Sequence, residues 1–266
     1  MAYKIIKAVD NVPPKALKNN SNTFASILST TFNRILELGQ YPDCLKVAKV
    51  IPIFKTGDKR DCNNYRPIST LSVFNKMFEK LLVTRLLNFL KKHNVLYKFQ
   101  YGFRQGCSTL IAITELVDSI SAEIDSRKMV GSLFIDLKKA FDTLDHKILL
   151  KKLDCYGIRG IGNNIIESYL TNRKQFVSID GVKSSLTQMS TGVPQESNIG
   201  HLLFLLYIND KGNLPLKGTA RLFADDTALF YPGSRVSSIV NDIESDLVVL
   251  SRYFNVNLLP LNVKKN

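Results

Sequence analysis

The sequence predicts an α+β fold, in which strands and helices mix without a regular βαβ alternation. Three observations predict it. Long stretches carry apolar residues at helical spacing, short β-type runs stand between them, and two apolar runs meet at an acidic doublet, Asp225-Asp226, as the arms of a hairpin would. With 266 residues, 45% of them hydrophobic, the chain can bury a sizeable core in one large domain or two lobes.

Taken in order, residues 21–38 place Phe24, Ile27, Leu28, Phe32, Ile35 and Leu36 at helical spacing and end near Gly39 and Pro42. Val47–Phe54 reads as a strand, followed by a polar loop, TGDKRDCNNYRP. An amphipathic helix is expected over Val73–Lys92, with Phe74, Met77, Phe78, Leu81, Leu82, Leu86 and Phe89 on its buried face. Another is expected over about 109–125. Met129–Asp136 is a short apolar strand that ends on an acid, and helical patterns follow at about 146–156 and 161–171. Strand-like segments at 174–180 and 186–191 precede an apolar helix at 197–209. Thr219–Ala224 and Thr227–Tyr231 read as two strands joined through the doublet, and a last helix fits about 236–255.

Lys and Arg number 36 against 23 Asp and Glu, a formal charge of +13, which favours a polyanionic partner such as nucleic acid. No stretch approaches the roughly 18 apolar residues of a membrane helix, so no membrane partner is expected. The first residues lack the apolar core of a signal peptide, so the expected location is intracellular, in cytoplasm or nucleus. Cys44, Cys62, Cys107 and Cys155 stand far apart, as do His93, His146 and His201. Reduced cysteines packed as small apolar groups are expected, rather than a zinc site or disulfides.

Asp136 and the Asp225-Asp226 pair each follow apolar β-type residues. Carboxylates buried there cost several kcal/mol unless a cation compensates. Magnesium prefers hard carboxylate oxygens and keeps substrate phosphates as further ligands. Two such ions about 3.5–4 Å apart serve phosphoryl transfer. A basic chain with these acids points to a nucleotidyl transferase or a nuclease. In isolation, an Asp-Asp doublet is more often a solvated turn.

Further motifs then appear in order. The segment FADDTALF around the doublet resembles motif C of the reverse transcriptases of non-LTR (LINE-like, jockey-like) retrotransposons. Phe134–His146 (FIDLKKAFDTLDH) resembles motif A, and Gly192–Asp210 (GVPQESNIGHLLFLLYIND) resembles motif B. Asn64–Ser69 (NNYRPIS) and Phe99–Thr109 (FQYGFRQGCST) resemble the two finger blocks, and Leu261–Asn266 (LNVKKN) the start of motif D. The resemblance covers about 47–266. It implies the right-hand polymerase fold, with fingers and an antiparallel palm sheet flanked by helices. On that pattern 1–46 is an N-terminal helical extension, 47–128 the fingers-like region and 129–266 the palm, all within one reverse transcriptase domain. The chain stops inside motif D, so thumb and endonuclease are expected to be missing.

The resemblance further implies an RNA-directed DNA polymerase that uses an RNA template, a DNA primer and dNTPs. The primer 3′-hydroxyl would attack the α-phosphate of a dNTP, with two Mg2+ ions, or Mn2+ in their place, bridging Asp136 and Asp225. Asp226 would complete the acid triad. Phe141, five residues after Asp136, matches the residue that shields the sugar 2′ position and implies deoxynucleotide selection. Phe223 would lie near the primer end. Arg66, Lys55 and Arg104 would meet the incoming nucleotide or template, as fork-shaped and ammonium cations neutralise phosphate charge. Gln195 matches a motif B residue that contacts nucleotide and templating base, and Lys265 the motif D lysine that protonates the leaving pyrophosphate. Asp142 and His146 are spaced to share a helix face and to brace each other.

Four positions depart from the family pattern. Glu196 stands where glycine is usual, adding bulk and a charge whose repulsion of phosphate is worth about 1–4 kcal/mol. His201 replaces a proline, Asn198 an apolar residue, and Pro260 interrupts the stretch before motif D. Together with the early stop, Glu196 is expected to impair synthesis. The alternatives are a catalytically inactive nucleic-acid-binding relic, and an RNA-templated RNA polymerase or two-metal nuclease, which Phe141 disfavours.

Overall fold

A computed structural model describes Asp10 and residues 12–262 of the chain. In order, its first elements are α1 (Pro14–Asn19), α2 (Ser21–Leu38), β1 (Val47–Phe54), β2 (Tyr65–Thr70), α3 (Val73–Lys92), α4 (Thr109–Asp125) and β3 (Met129–Ile135). Then come α5 (His146–Cys155), α6 (Ile161–Leu170), β4 (Lys174–Ile179), β5 (Val182–Lys183) and β6 (Thr187–Gln188). The last are α7 (Asn198–Ile208), β7 (Thr219–Phe223), β8 (Asp226–Gly233) and α8 (Val236–Val256). The expected α+β class is what the chain adopts. Two compact units form, one from 1–89 and 149–201, the other from 90–148 and 202–266.

Local chemistry sets several boundaries. Gly39 ends α2 with φ +64, its N–H donating to the Ile35 carbonyl. Helix starts are capped by side-chain oxygens: Ser72 accepts from Asn75 N at 3.0 Å, Ser108 from Ile111 N at 3.2 Å, Asp145 from Ile148 N at 2.9 Å and Ser197 from Gly200 N at 2.8 Å.

In the first unit a five-stranded sheet runs β2-β1-β4-β5, with β6 also on β4. The β1–β2 pair is antiparallel, while β1 and β4 run parallel from Val47 opposite Lys174. The core gathers on Phe78, fully buried against Phe32 and Tyr41 with ring centroids 4.9 and 5.4 Å away. The expected apolar face of α3 holds at Phe78 and Leu82, whereas Met77 is exposed and the polar Asn75 and Glu79 are wholly buried. The physical reason is a hydrogen-bond network. Glu79 accepts from Asn75 Nδ2, from Tyr169 OH and from the backbone N–H of Asn198, at 2.8–2.9 Å. Burial pushes its carboxyl above the usual range.

In the second unit an antiparallel sheet runs β3-β8-β7. Helix α8 packs on β8 and β3, with Ile239 beside Gly131 and Gly233, and it buries Leu250, Tyr253 and Phe254. Gly131 permits that approach, because a Cβ there would stand 2.4 Å from Ile239 Cγ2. Within this unit, residues 202–208 of α7 are all buried, as a helix apolar all round must be.

Three expectations need correction. The stretch read as polar loop through Pro67 includes β2, whose alternation is masked because the successive residues Arg66 and Pro67, on opposite faces, are both exposed. Thr187–Gln188 forms only a two-residue strand where six residues were expected. The four cysteines are free thiols, but Cys44, Cys62 and Cys155 are exposed rather than packed, because they sit on short 3-10 turns and at the end of α5.

Candidate active site

Strand register brings the three acids of the second unit to one place. Strand β3 ends at Ile135, opposite Thr227 of β8, so Asp136 lies one residue past the last pair of the ladder and Asp226 one residue before it. Phe223 pairs with Asp226 across the β7–β8 hairpin, which leaves Ala224 and Asp225 as its two-residue turn. The doublet is thus split: Asp225 stands in the turn and Asp226 opens β8, where the sequence suggested both at the tip. Asp136 and Asp225 are half-buried and Asp226 is exposed.

The turn is strained and supported. Ala224 has φ +53, a left-handed conformation that costs an L-residue about 1–2 kcal/mol. Gln100, 3% exposed, accepts through Oε1 from the N–H of Ala224 at 3.0 Å and of Gly102 at 2.9 Å. Its Nε2 donates to the Ala224 carbonyl at 3.5 Å. Gly102 passes so close that a Cβ would stand 2.2 Å from Ala224 N. Tyr101 N donates to Leu222 O, and Leu222 N to Phe99 O, each at 2.9 Å, which lays this segment along β7. Arg104 uses Nη1 to gather the carbonyls of Tyr97, Lys98 and Gln100 at 3.0–3.3 Å, so much of its charge is spent on its own loop.

On the other side, Asn262 donates through Nδ2 to Asp136 Oδ2 at 2.8 Å, and its N–H to the Asp136 carbonyl at 3.0 Å. Lys138 N donates to the carbonyl of Pro260 at 2.8 Å. A proline therefore serves here, since it is the carbonyl that the pairing uses. Beneath the hairpin Lys211 is 1% exposed and donates to Thr227 Oγ1 at 2.6 Å. Sequence reasoning missed Gln100, Asn262 and Lys211. Gln100 and Asn262 lie inside quoted motifs, but their chemistry shows only once the chain is folded.

Phe141 is half-buried, its ring 4.7 Å from that of Phe204 and 5.9 Å, edge-on, from that of Phe103. Phe223 is half-buried beside the doublet. Asp142 lies in the turn before α5, which starts at His146, so the two share no helix face. Asp145 caps that helix instead. Lys265 lies outside the described residues.

In the first unit, Lys55 follows β1 and Arg66 lies on β2, both exposed, with Lys55 N donating to Asn64 O at 2.8 Å. Gln195 is half-buried, and its carbonyl accepts from Ser69 N at 3.3 Å. Glu196 is exposed with φ +72. The glycine usual at this position is therefore matched to a left-handed backbone, a reason additional to close approach. Asn198 opens α7 and donates through Nδ2 to Lys76 O at 3.3 Å, a bond that an apolar residue would not make. Burial holds His201 below the ordinary imidazole value, against the upward pull of Glu196 and the Ser197 backbone.

Carboxylate oxygens are the ligands a hard divalent ion takes, and Asp136 follows β3 while Asp225 and Asp226 lie in the turn and at the start of β8, with Asn262 donating to Asp136. Among the described residues, no three His, Cys, Asp or Glu form a group that could hold a metal ion. No helix among the described residues is long and apolar enough to cross a membrane.

Comparison with known proteins agrees with this geometry. Residues 55–266 match the family model described as reverse transcriptase (RNA-dependent DNA polymerase). The chain is 30% identical over 97% of its length to the probable RNA-directed DNA polymerase from transposon BS of Drosophila melanogaster, and covers 29% of that protein. It is 27% identical over 97% of its length to the polymerase from mobile element jockey of the same species, covering 28% of it. The jockey polymerase of Drosophila funebris is 33% identical over 68% of the chain, with 20% of that protein covered. The chain thus spans less than a third of the length of these curated relatives. In fold it resembles apo telomerase from Candida tropicalis, with TM-score 0.58 at 11% identity over 91% of this chain and 54% of that one. This is the right-hand polymerase fold. The chain belongs to the reverse transcriptase family, and its relatives are the non-LTR, jockey-type retrotransposon polymerases.

Proposed function

We propose that this chain carries the polymerase core of a mobile element's RNA-directed DNA polymerase, adding deoxynucleotides to a DNA primer on an RNA template inside the cell. The observation that supports it is the strand register: β3 pairs with β8 up to Ile135 opposite Thr227, so Asp136 leaves β3 at the end of the sheet where Asp225 and Asp226 form the turn and start of β8. In the reaction the primer 3′-oxygen bonds to the α-phosphorus of a dNTP, its proton leaves, and the bond to pyrophosphate breaks. Asp136, Asp225 and Asp226 are the residues to hold divalent ions, Mg2+ or Mn2+, which when bound supply Lewis-acid stabilisation of the phosphoryl oxygens.

The chain's other groups bind and orient. Arg66 and Lys55, exposed on the β1–β2 hairpin, are cations for template or triphosphate. Gln195 contacts the nucleotide and its templating base. Phe141, wedged between two rings, is the residue that rejects a ribonucleotide 2′-hydroxyl. Phe223 supports the primer end, and Arg104 holds the loop behind the turn more than it holds substrate. Lys265 is the proton donor to pyrophosphate.

Primer extension by the full chain, with RNA template, DNA primer and dNTPs, tests this reading. Asp225→Asn should reduce incorporation by about a thousandfold or more, as loss of a group that acts only in the transition state does. Incorporation untouched by that substitution would sink the assignment. The strained backbone at Glu196 favours a second reading, a nucleic-acid-binding relic without chemistry, which predicts salt-dependent RNA binding but no incorporation.

A further inference from the structure

We propose that Gln100 is the positioning residue of the acidic turn: its buried amide fixes Ala224 in a left-handed conformation and so sets where the Asp225 carboxylate stands. The importance of that position rests on the catalytic reading of Asp225 given above.

Both ends of the Gln100 amide are turned to the backbone of one residue, Ala224. Oε1 takes the Ala224 N–H and Nε2 reaches the Ala224 carbonyl, while Oε1 also takes the N–H of Gly102. A buried polar side chain whose hydrogen bonds converge on a single strained residue specifies a conformation more than it adds stability. Alanine does not favour φ +53, so the turn depends on something outside itself to keep it there. Glycine would adopt that angle without a clamp.

The clamp is itself anchored. Its backbone is laid along β7 by the reciprocal bonds of Phe99 and Tyr101 with Leu222, and Arg104 ties the carbonyl of Gln100 to those of Tyr97 and Lys98. Gly102 allows the approach, since any side chain would meet the Ala224 backbone. The three residues Gln100, Gly102 and Arg104 form one brace, with Gln100 as the member that touches the turn through polar atoms.

The test uses the full chain and compares wild type with Gln100→Met, which keeps the side chain's length and removes both polar ends. Hydrogen exchange at the amides of Ala224 and Asp225 should accelerate by about tenfold or more while the amides of β3 stay unchanged. In primer extension kcat should fall by about tenfold or more, with KM for the dNTP within about twofold of wild type. Adding Ala224→Gly should recover about threefold or more of that loss, because glycine needs no clamp to reach positive φ.

Unchanged exchange in the turn overturns the proposal, and so does a loss carried in KM or one that Ala224→Gly does not relieve. Should Gln100→Met fail to fold, Gln100→Asn, whose amide stops one methylene short of the turn, is read by the same exchange signature. A turn that loosens while incorporation ignores Asp225→Asn keeps the brace and overturns the catalytic reading of Asp225, so the two fail separately.

Discussion

Replacing Glu196 with glycine should stabilise the chain, and the reason is its backbone before its charge. At φ +72 a side chain with a Cβ gives up about 1–2 kcal/mol relative to a right-handed conformation. Glycine escapes that cost but brings a more disordered unfolded chain, worth about 0.4–1 kcal/mol in the other direction. The net is a gain of about 1 kcal/mol, or a rise in Tm of about 2–4 °C for a domain of this size. Glu196→Ala is the control, because it removes the charge and keeps the Cβ; it should leave Tm nearly where it is. Thermal unfolding of the three proteins decides. A Tm that does not rise with glycine, or that rises equally with alanine, refutes the strain argument. Template affinity separates the charge from the backbone in the same way: removing the carboxylate should strengthen RNA binding at low salt in both variants, and the gain should shrink as salt screens it. Equal binding by all three would show that the glutamate is harmless to the template.

Gly102→Ala should cost about 1–3 kcal/mol or more, since its Cβ would meet the Ala224 backbone at 2.2 Å and a backbone cannot swing aside as a side chain can. Unchanged denaturant stability would contradict the close approach. Glu79→Ala strands the buried donors of Asn75, Tyr169 and Asn198 and should cost about 3–5 kcal/mol by the same measurement. Because burial raises the Glu79 pKa, the folded chain holds that proton more tightly than the unfolded one. Stability from this group is therefore full below the ordinary carboxylate value and declines as pH rises through the raised one, a slope that Glu79→Gln should flatten.

What was legible in the sequence was whatever repeats along the chain. Helices α2, α3 and α4 and strand β1 lie where apolar spacing put them, and the acids at strand ends were readable because each closes a run of β-type residues. Strand β2 was not, because Arg66 and Pro67 break its alternation and its pairing with β1 is supplied from elsewhere in the chain. The polar core of the first unit was hidden for a related reason. Glu79 and Asn75 look like the wet side of α3 until Tyr169, 90 residues away, is brought to Glu79 and Tyr41 to Asn75. Likewise Asn262 reads as a loop residue until the antiparallel bridge of Leu137 with Leu261 puts it on Asp136. Periodicity reports which side of an element is buried; it is silent on which polar groups will be buried with it.

The backbone angles add a distinction that no pattern of residue types contains. Phe103, Glu196 and Ala224 are non-glycine residues at positive φ, and they fall in the GFR, PQE and ADD segments of three different motifs. Strain at a motif is informative only together with what resists it. At Ala224 the buried Gln100 amide meets both the N–H and the carbonyl of the strained residue, the device proposed to place the Asp225 carboxylate. At Phe103 the ring rests edge-on against Phe141, so the strained residue joins the aromatic stack proposed to select the sugar. At Glu196 the side chain is exposed, and the backbone carries the strain in a residue where the family uses glycine. The same left-handed angle thus belongs to a supported turn before the proposed catalytic acid in one unit and to an exposed glutamate in the other. That contrast is the physical reason to expect the acids to be well placed in this chain, and to look for its weakness around Glu196.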